Sequence, residues 1–222
     1  MDYGNMLGDS FNYATEAVFG KWLKWILLII PFMSHGYSLA VFKGGKPAPE
    51  VNDWIANFIN GIKLFIVQLI YCIPLIIIGI IAMVLGVGAA FAGDAGIMAA
   101  GLVFLIAGLV ALVYCIALIF ILPMAAIRFA RTDSFGEAFN VGAILASISA
   151  IGWISYLIAI IVLCVVAVIF GIIIGIIAFV FALIPFLGIL LILLLDLFLV
   201  ILSPPIVIFC ARYFTQIYDS AA

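Results

Sequence analysis

An all-α integral membrane fold follows from three features of this chain. It is 70% hydrophobic with only 8% charged residues, its mean hydropathy is +1.54, and its apolar residues fall in runs long enough to cross a bilayer. No water-soluble domain can hide that much apolar surface. The 222 residues make one transmembrane helical domain, residues 1–222, and leave no room for a separate soluble unit.

The first element is an interfacial helix over about residues 5–19, where Leu7, Phe11, Ala14 and Val18 form an apolar stripe opposite Asp9 and Glu16. The start is acidic and lacks a basic region followed by an apolar core, so no cleavable signal peptide is expected. A first apolar segment covers 22–42, but its strong core is only Ile26 to Met33, broken by Pro31 and followed by Ser34, His35 and Gly36. It either spans the membrane or dips in and returns to the same side. Val51, Trp54, Ile55 and Phe58 recur at i, i+3, i+4 and i+7 opposite Asn52, Asp53 and Asn57, predicting a second interfacial helix over 51–60.

Four further segments reach the length of about 20 apolar residues that a span requires: 62–86, 97–123, 151–184 and 189–212. Ser134-Phe135-Gly136-Glu137 has the form of a capping box. It predicts a third interfacial helix over 135–148, through Phe139 and Leu145, leading into the next span. Pro185-Phe186-Leu187-Gly188 is the turn signal between the last two spans, which should form a tight antiparallel hairpin. Pro204-Pro205 removes two backbone donors and predicts a kink or break, with Ser203 placed to satisfy a freed carbonyl.

Charge placement bears on the topology. If 22–42 spans, Lys43, Lys46, Lys63, Arg128, Arg131 and Arg212 share one side, and Lys21 and Lys24 face the other. If it is re-entrant, all eight basic residues share one side. The positive-inside rule makes the side carrying the basic loops cytoplasmic in both cases, and it favours the re-entrant reading. Trp22, Trp25, Trp54 and Trp153 then gather at the same interface.

Few residues could carry chemistry. Asp196 lies in an apolar run, LLILLLDLFLVIL, about 12 Å beyond Gly188 at the helical rise, where an unpaired carboxylate costs several kcal/mol. It must be protonated, paired or open to water. Gln68, Tyr71 and Tyr114 lie at comparable depth, as does His35 if the first segment dips far enough. The alternatives for Asp196 are a buried hydrogen bond that locks the bundle, an oligomer contact, or a proton or cation path. His35 is the only histidine, and a lone histidine is most often a satisfied interfacial hydrogen-bonder. Ala167, Gly171 and Gly175 repeat every four residues, continued by Ala178 and Ala182, a candidate helix-packing seam within the bundle or between subunits.

Cys72, Cys115, Cys164 and Cys210 sit in apolar stretches as small hydrophobes, and no metal site or cofactor is expected. There is no serine–histidine–acid set, HExxH, phosphate-binding glycine loop or paired carboxylate motif, so no catalytic residue is assigned and the chain reads as a non-enzyme. With eight Lys and Arg against a net charge of −2, it has no basic surface for nucleic acid.

His35-Gly36-Tyr37, Pro47-Ala48-Pro49-Glu50, Asp53-Trp54, Gly61-Ile62-Lys63 and Tyr71-Cys72-Ile73-Pro74 together resemble a pattern found in small polytopic membrane proteins of archaea and bacteria, a family known only as a domain of unknown function. Pro123, Arg128-Phe129-Ala130, Phe135, Ala138-Phe139 and Gln216-Ile217-Tyr218 fit the same pattern. Val51-Asn52 lengthens the spacing between Glu50 and Trp54 relative to it. The resemblance implies an all-helical membrane fold with an amphipathic loop and brings no substrate.

The expected role is that of a structural or accessory membrane protein, self-assembling or held in a larger membrane complex, with the bilayer as its surroundings. The alternative is a small transporter or channel using a sparse polar path around Asp196.

Overall fold

The computed structural model describes residues 1–185 and 187–221, and among these the chain is helical with no strand. Its elements are α1 (Tyr3–Val18), α2 (Trp22–Leu28), α3 (Pro31–Phe42), α4 (Trp54–Ala90), α5 (Asp94–Thr132), a 3₁₀ turn (Phe135–Phe139), α6 (Val141–Ile151), α7 (Trp153–Ala182) and α8 (Leu187–Asp219). Helices α4, α5, α7 and α8 are long and apolar enough to cross a membrane. Leu187 and Gly188 begin α8, close to the end of α7, as the hairpin reading expects; Phe186 in that turn lies outside the described residues.

The first apolar segment is broken. Pro31 starts α3, its missing N–H costing nothing at a helix's first position, and α2 and α3 meet at 109°. The two ends of the segment come together: Lys21 forms an ion pair with Glu50, and Lys24 Nζ lies 3.6 Å from the same carboxylate. Lys24 Nζ and the Tyr37 hydroxyl both donate to the Pro49 carbonyl, each at 2.9 Å. These contacts tie the residues before the bent segment to the loop that follows it.

The α3–α4 crossing rests on two glycines. A Cβ on Gly36 would collide with the backbone carbonyl of Asn57, and one on Gly61 with that of Phe32. Only glycine permits backbones this close. Asn57 Nδ2 donates to Met33 O at 2.8 Å across the crossing, and Phe32 meets Phe58 and Phe65 edge-on.

Four sequence expectations are corrected here. The interfacial helix over 51–60 is not separate: Asp53 accepts from Ala56 N as N-cap, and α4 runs unbroken through Gly61. The Ser134–Glu137 capping box does not form, because Glu137 pairs with Arg128 instead. Residues 135–148 are divided between the 3₁₀ turn and α6, the latter capped by Asn140, whose Oδ1 accepts from Ala143 N at 3.1 Å. Gly152, at φ 92°, then separates α6 from α7. Finally, α8 does not break at Pro204-Pro205 but runs on to Asp219. The prolines leave the carbonyls of Val200 and Ile201 without helical donors. Ser203 Oγ donates to the first and Trp25 Nε1 to the second, both at 2.7 Å, so the helix continues with its carbonyls satisfied.

The main buried core lies at one end of the molecule. Its residues all fall outside 68–123 and 161–207. They come from α1 to α3, the start of α4, the end of α5, the 3₁₀ turn, α6, the start of α7 and the end of α8, which together form a cap. Two hairpins, α4–α5 and α7–α8, project from it. Between them the pairs α4–α7, α4–α8 and α5–α7 meet through no more than isolated backbone approaches among the described residues. An apolar crevice of about 420 Å³ opens where they diverge, walled by Phe120, Leu145, Trp153 and Leu157 among others.

Candidate functional site

Asp196 faces outward. It is exposed on α8, flanked by exposed Leu194, Leu197 and Phe198, and among the described residues it makes no hydrogen bond or ion pair. The structure does not join it to the other polar groups at its expected depth. The Tyr114 hydroxyl donates to Tyr71 O at 2.8 Å, and the Tyr71 hydroxyl donates to Ala138 O at 2.7 Å, linking α5 to α4 and α4 to the 3₁₀ turn. Gln68 is half-buried on α4. His35 Nδ1 lies 2.6 Å from Pro31 O, one turn back in its own helix. So Tyr71 and Tyr114 meet, while Asp196 and His35 stand apart from them.

The tyrosines follow one rule. Six of the eight donate their hydroxyl to a backbone carbonyl on another element or loop: besides Tyr37, Tyr71 and Tyr114, Tyr3 reaches Ser155 O, Tyr156 reaches Phe120 O and Tyr213 reaches Ala159 O, at 2.9–3.0 Å. Tyr71 O and Phe120 O each lie three residues before a helical proline, Pro74 and Pro123. These hydroxyls tie the elements together, each committed to a carbonyl.

The small-residue seam is open. Ala167, Gly171, Gly175 and Ala182 are exposed and Ala178 half-buried. A Cβ added at Gly171 or Gly175 would meet nothing within 4 Å. Among the described residues, the seam is open at Gly171 and Gly175.

All eight basic residues and eight of the ten acidic ones belong to the cap, leaving Asp94 and Asp196 as the acids beyond it. The cap's ion pairs fasten its elements to one another. Asp9 on α1 holds Lys46 and, at 3.1 Å, Arg212 Nε on α8. Arg131 joins Asp219 at 2.5 Å and donates to Phe42 O at 2.6 Å. Lys43 meets Asp133 at 2.6 Å. Burial pushes the Asp9 carboxyl up, but the hydrogen bonds from Lys46 and Arg212 outweigh it and leave the group below the usual carboxylate range. Hydrogen bonds from Lys21 and from Arg128 likewise depress Glu50 and Glu137.

This knot was not read from the sequence as a site. Its signal was present in Lys21 and Lys24 before the broken segment and Glu50 after it, a pairing that becomes visible only once the segment turns back.

No curated protein and no solved structure matches the chain. A family pattern described as a protein of unknown function (DUF4013) matches residues 23–179. That stretch runs from α2 almost to the end of α7. It holds the Gly36–Gly61 crossing and the Tyr37–Pro49–Glu50 knot, and it excludes α1 and all of α8, including Asp196. With most of its length covered, the chain belongs to the DUF4013 family of multi-pass helical membrane proteins.

Proposed function

We propose that the protein is a non-catalytic structural or accessory component of the membrane that associates through its projecting hairpins, with copies of itself or with partners in a larger complex. The outward Asp196 carries this reading. A carboxyl group at the lipid face of a span costs about 2.5–3.5 kcal/mol on insertion scales, and a neighbouring helix that hydrogen-bonds it relieves that cost. The open face around Gly171 and Gly175 supports the same reading, since small residues let a foreign backbone approach closely. Apolar exposure alone does not argue for association, because lipid covers it without penalty. On this reading the cap, which holds every basic residue, lies in the cytoplasm.

A transport reading needs a connected polar route. Asp196 has no partner among the described residues, and the Tyr71 and Tyr114 hydroxyls are committed to carbonyls, so association is the better-supported function.

The test is native mass spectrometry of gently extracted protein, with in-membrane cross-linking beside it. Wild type should run as a multiple of its 23.9 kDa mass or with bound partner chains, and Asp196→Leu and Gly171→Leu should each shift it toward the single chain. A lone chain in the native membrane, unchanged by either substitution, would sink the proposal. Loss of ion flux in Asp196→Asn with the assembly intact would move the assignment to transport.

A further inference from the structure

Beside the α3–α4 crossing the cap holds a polar cleft of about 360 Å³, walled by the ends of α3 and α5, the loop before α4 and one face of α4. It carries five charged side chains, and three of them are already committed within the protein. Glu50 is held by Lys21 and Lys24, and Lys43 and Asp133 hold each other. Lys63 and one carboxylate oxygen of Asp53 remain; the other oxygen caps α4. Asn60 on the same wall makes no side-chain hydrogen bond among the described residues. Among the described residues the open groups are therefore one cation, one anion and the side-chain amides of Asn52 and Asn60.

Their order along α4 is informative. Lys63 follows Asp53 by ten residues, about 15 Å at the helical rise, and its side chain leans back toward the helix N-terminus, into the cleft. Helix α4 has 37 residues, about 55 Å, against a hydrocarbon core of about 30 Å. Lys63 is the last charged residue of α4 and the run 64–90 carries none, which assigns the first turns to the headgroup layer and Lys63 to the boundary. Next to the Ala56–Asn60–Lys63 face runs a lipid-facing strip of Ile59, Ile66, Ile70, Ile73 and Ile77, each between 38% and 50% exposed.

We propose that this cleft is a binding site for a zwitterionic phospholipid with a primary ammonium, of the phosphatidylethanolamine type. The phosphate sits on Lys63 and Asn60, the ammonium reaches outward to Asp53, and the acyl chains lie along the isoleucine strip. Phosphate below and ammonium above is the order in which Lys63 and Asp53 are stacked. A purely anionic headgroup would leave Asp53 unanswered and bring a second negative charge beside it, and a quaternary ammonium offers Asp53 no hydrogen-bond donor. The inference is independent of how the hairpins associate.

The test uses the full-length protein, purified in detergent and titrated with phosphatidylethanolamine, phosphatidylcholine or phosphatidylglycerol while lipid adducts are counted by native mass spectrometry. Phosphatidylethanolamine should bind about tenfold more tightly than the other two, the scale of one charge-assisted hydrogen bond. Lys63→Gln should weaken phosphatidylethanolamine and phosphatidylcholine alike. Asp53→Asn, which keeps the helix cap, should erase the preference between them. Unchanged thermal unfolding of both variants separates loss of the site from loss of fold. Equal binding of all three lipids, or no effect of Lys63→Gln in a folded protein, overturns the proposal. Displacement of the adduct by inorganic phosphate at concentrations matching the lipid also overturns it, and would assign the cleft to a free anion.

Discussion

Gly36 and Gly61 lie where backbones touch, and a methyl group on either would strike a carbonyl; Gly171 and Gly175 face open space. The same contrast separates the cap from the hairpins. In the cap, tyrosines, ion pairs and capped helix ends are committed to one another, and Ser10, Lys24, Asn57 and Thr215 are buried in its packing. In the hairpins, no span has more than 17% of its most apolar stretch buried within the chain. One end of the molecule packs mainly on itself, and the other leaves its apolar faces exposed.

The largest expected effect breaks the cap. Gly61→Ala forces a methyl group into the Phe32 carbonyl and should cost about 3 kcal/mol, the upper range for overpacking because the obstacle is backbone. Gly171→Ala should leave the same measurement, thermal unfolding in detergent, within about 0.5 kcal/mol of wild type. Equal losses at both sites would mean that the hairpins are as packed as the cap.

A middle-sized effect probes the joint between the two regions. Trp25→Phe leaves the Ile201 carbonyl without a donor and should cost about 1–3 kcal/mol. In a Pro205→Ala background the helix supplies its own N–H, so the second cost should shrink. A double-mutant cycle with no coupling would remove the proposed role of Trp25.

The smallest effect is that of acid. Asp9, Glu50 and Glu137 are held below their ordinary values in the folded protein. Their contribution is present above the unfolded-state value and is lost as pH falls through the folded one. Acidification below the usual carboxylate range should therefore lower the cap's unfolding temperature, followed by tryptophan fluorescence, while far-UV circular dichroism shows the spans still helical. Because Glu50 is 56% exposed and Glu137 30%, the shift should be modest. A cap that grows more stable in acid would contradict the sign.

The four spans were legible because hydropathy alone determines them, and the break in the first apolar segment was legible from Pro31. The faces of the short helices were not. On the apolar stripe of α1, Leu7, Ala14 and Val18 pack in or against the core, but Phe11 is 63% exposed, and Ser10, Tyr13 and Ala17 from beside the stripe also turn inward. On α4, Ile55 is 74% exposed while Asn57 is buried against α3. An amphipathic stripe identifies the inside only when water is outside. At a membrane interface lipid takes the apolar face, and hydrogen-bonding groups seek the protein. The openness of the small-residue seam was equally hidden, because four-residue spacing is the same whether the neighbour is internal or foreign.

The separation of charge has a consequence for how this chain is made. With every basic residue and eight acids held in the cap, the α4–α5 hairpin carries only Asp94 at its tip and the α7–α8 tip carries no ionisable group. Each hairpin can thus be threaded into the bilayer from the cap side as a unit, drawing at most two carboxyl groups, Asp94 and Asp196, into or across the hydrocarbon and no lysine or arginine at all. Reversed insertion would have to pull eight cations through the same barrier, so the energetics of translocation select one orientation before the cap has folded.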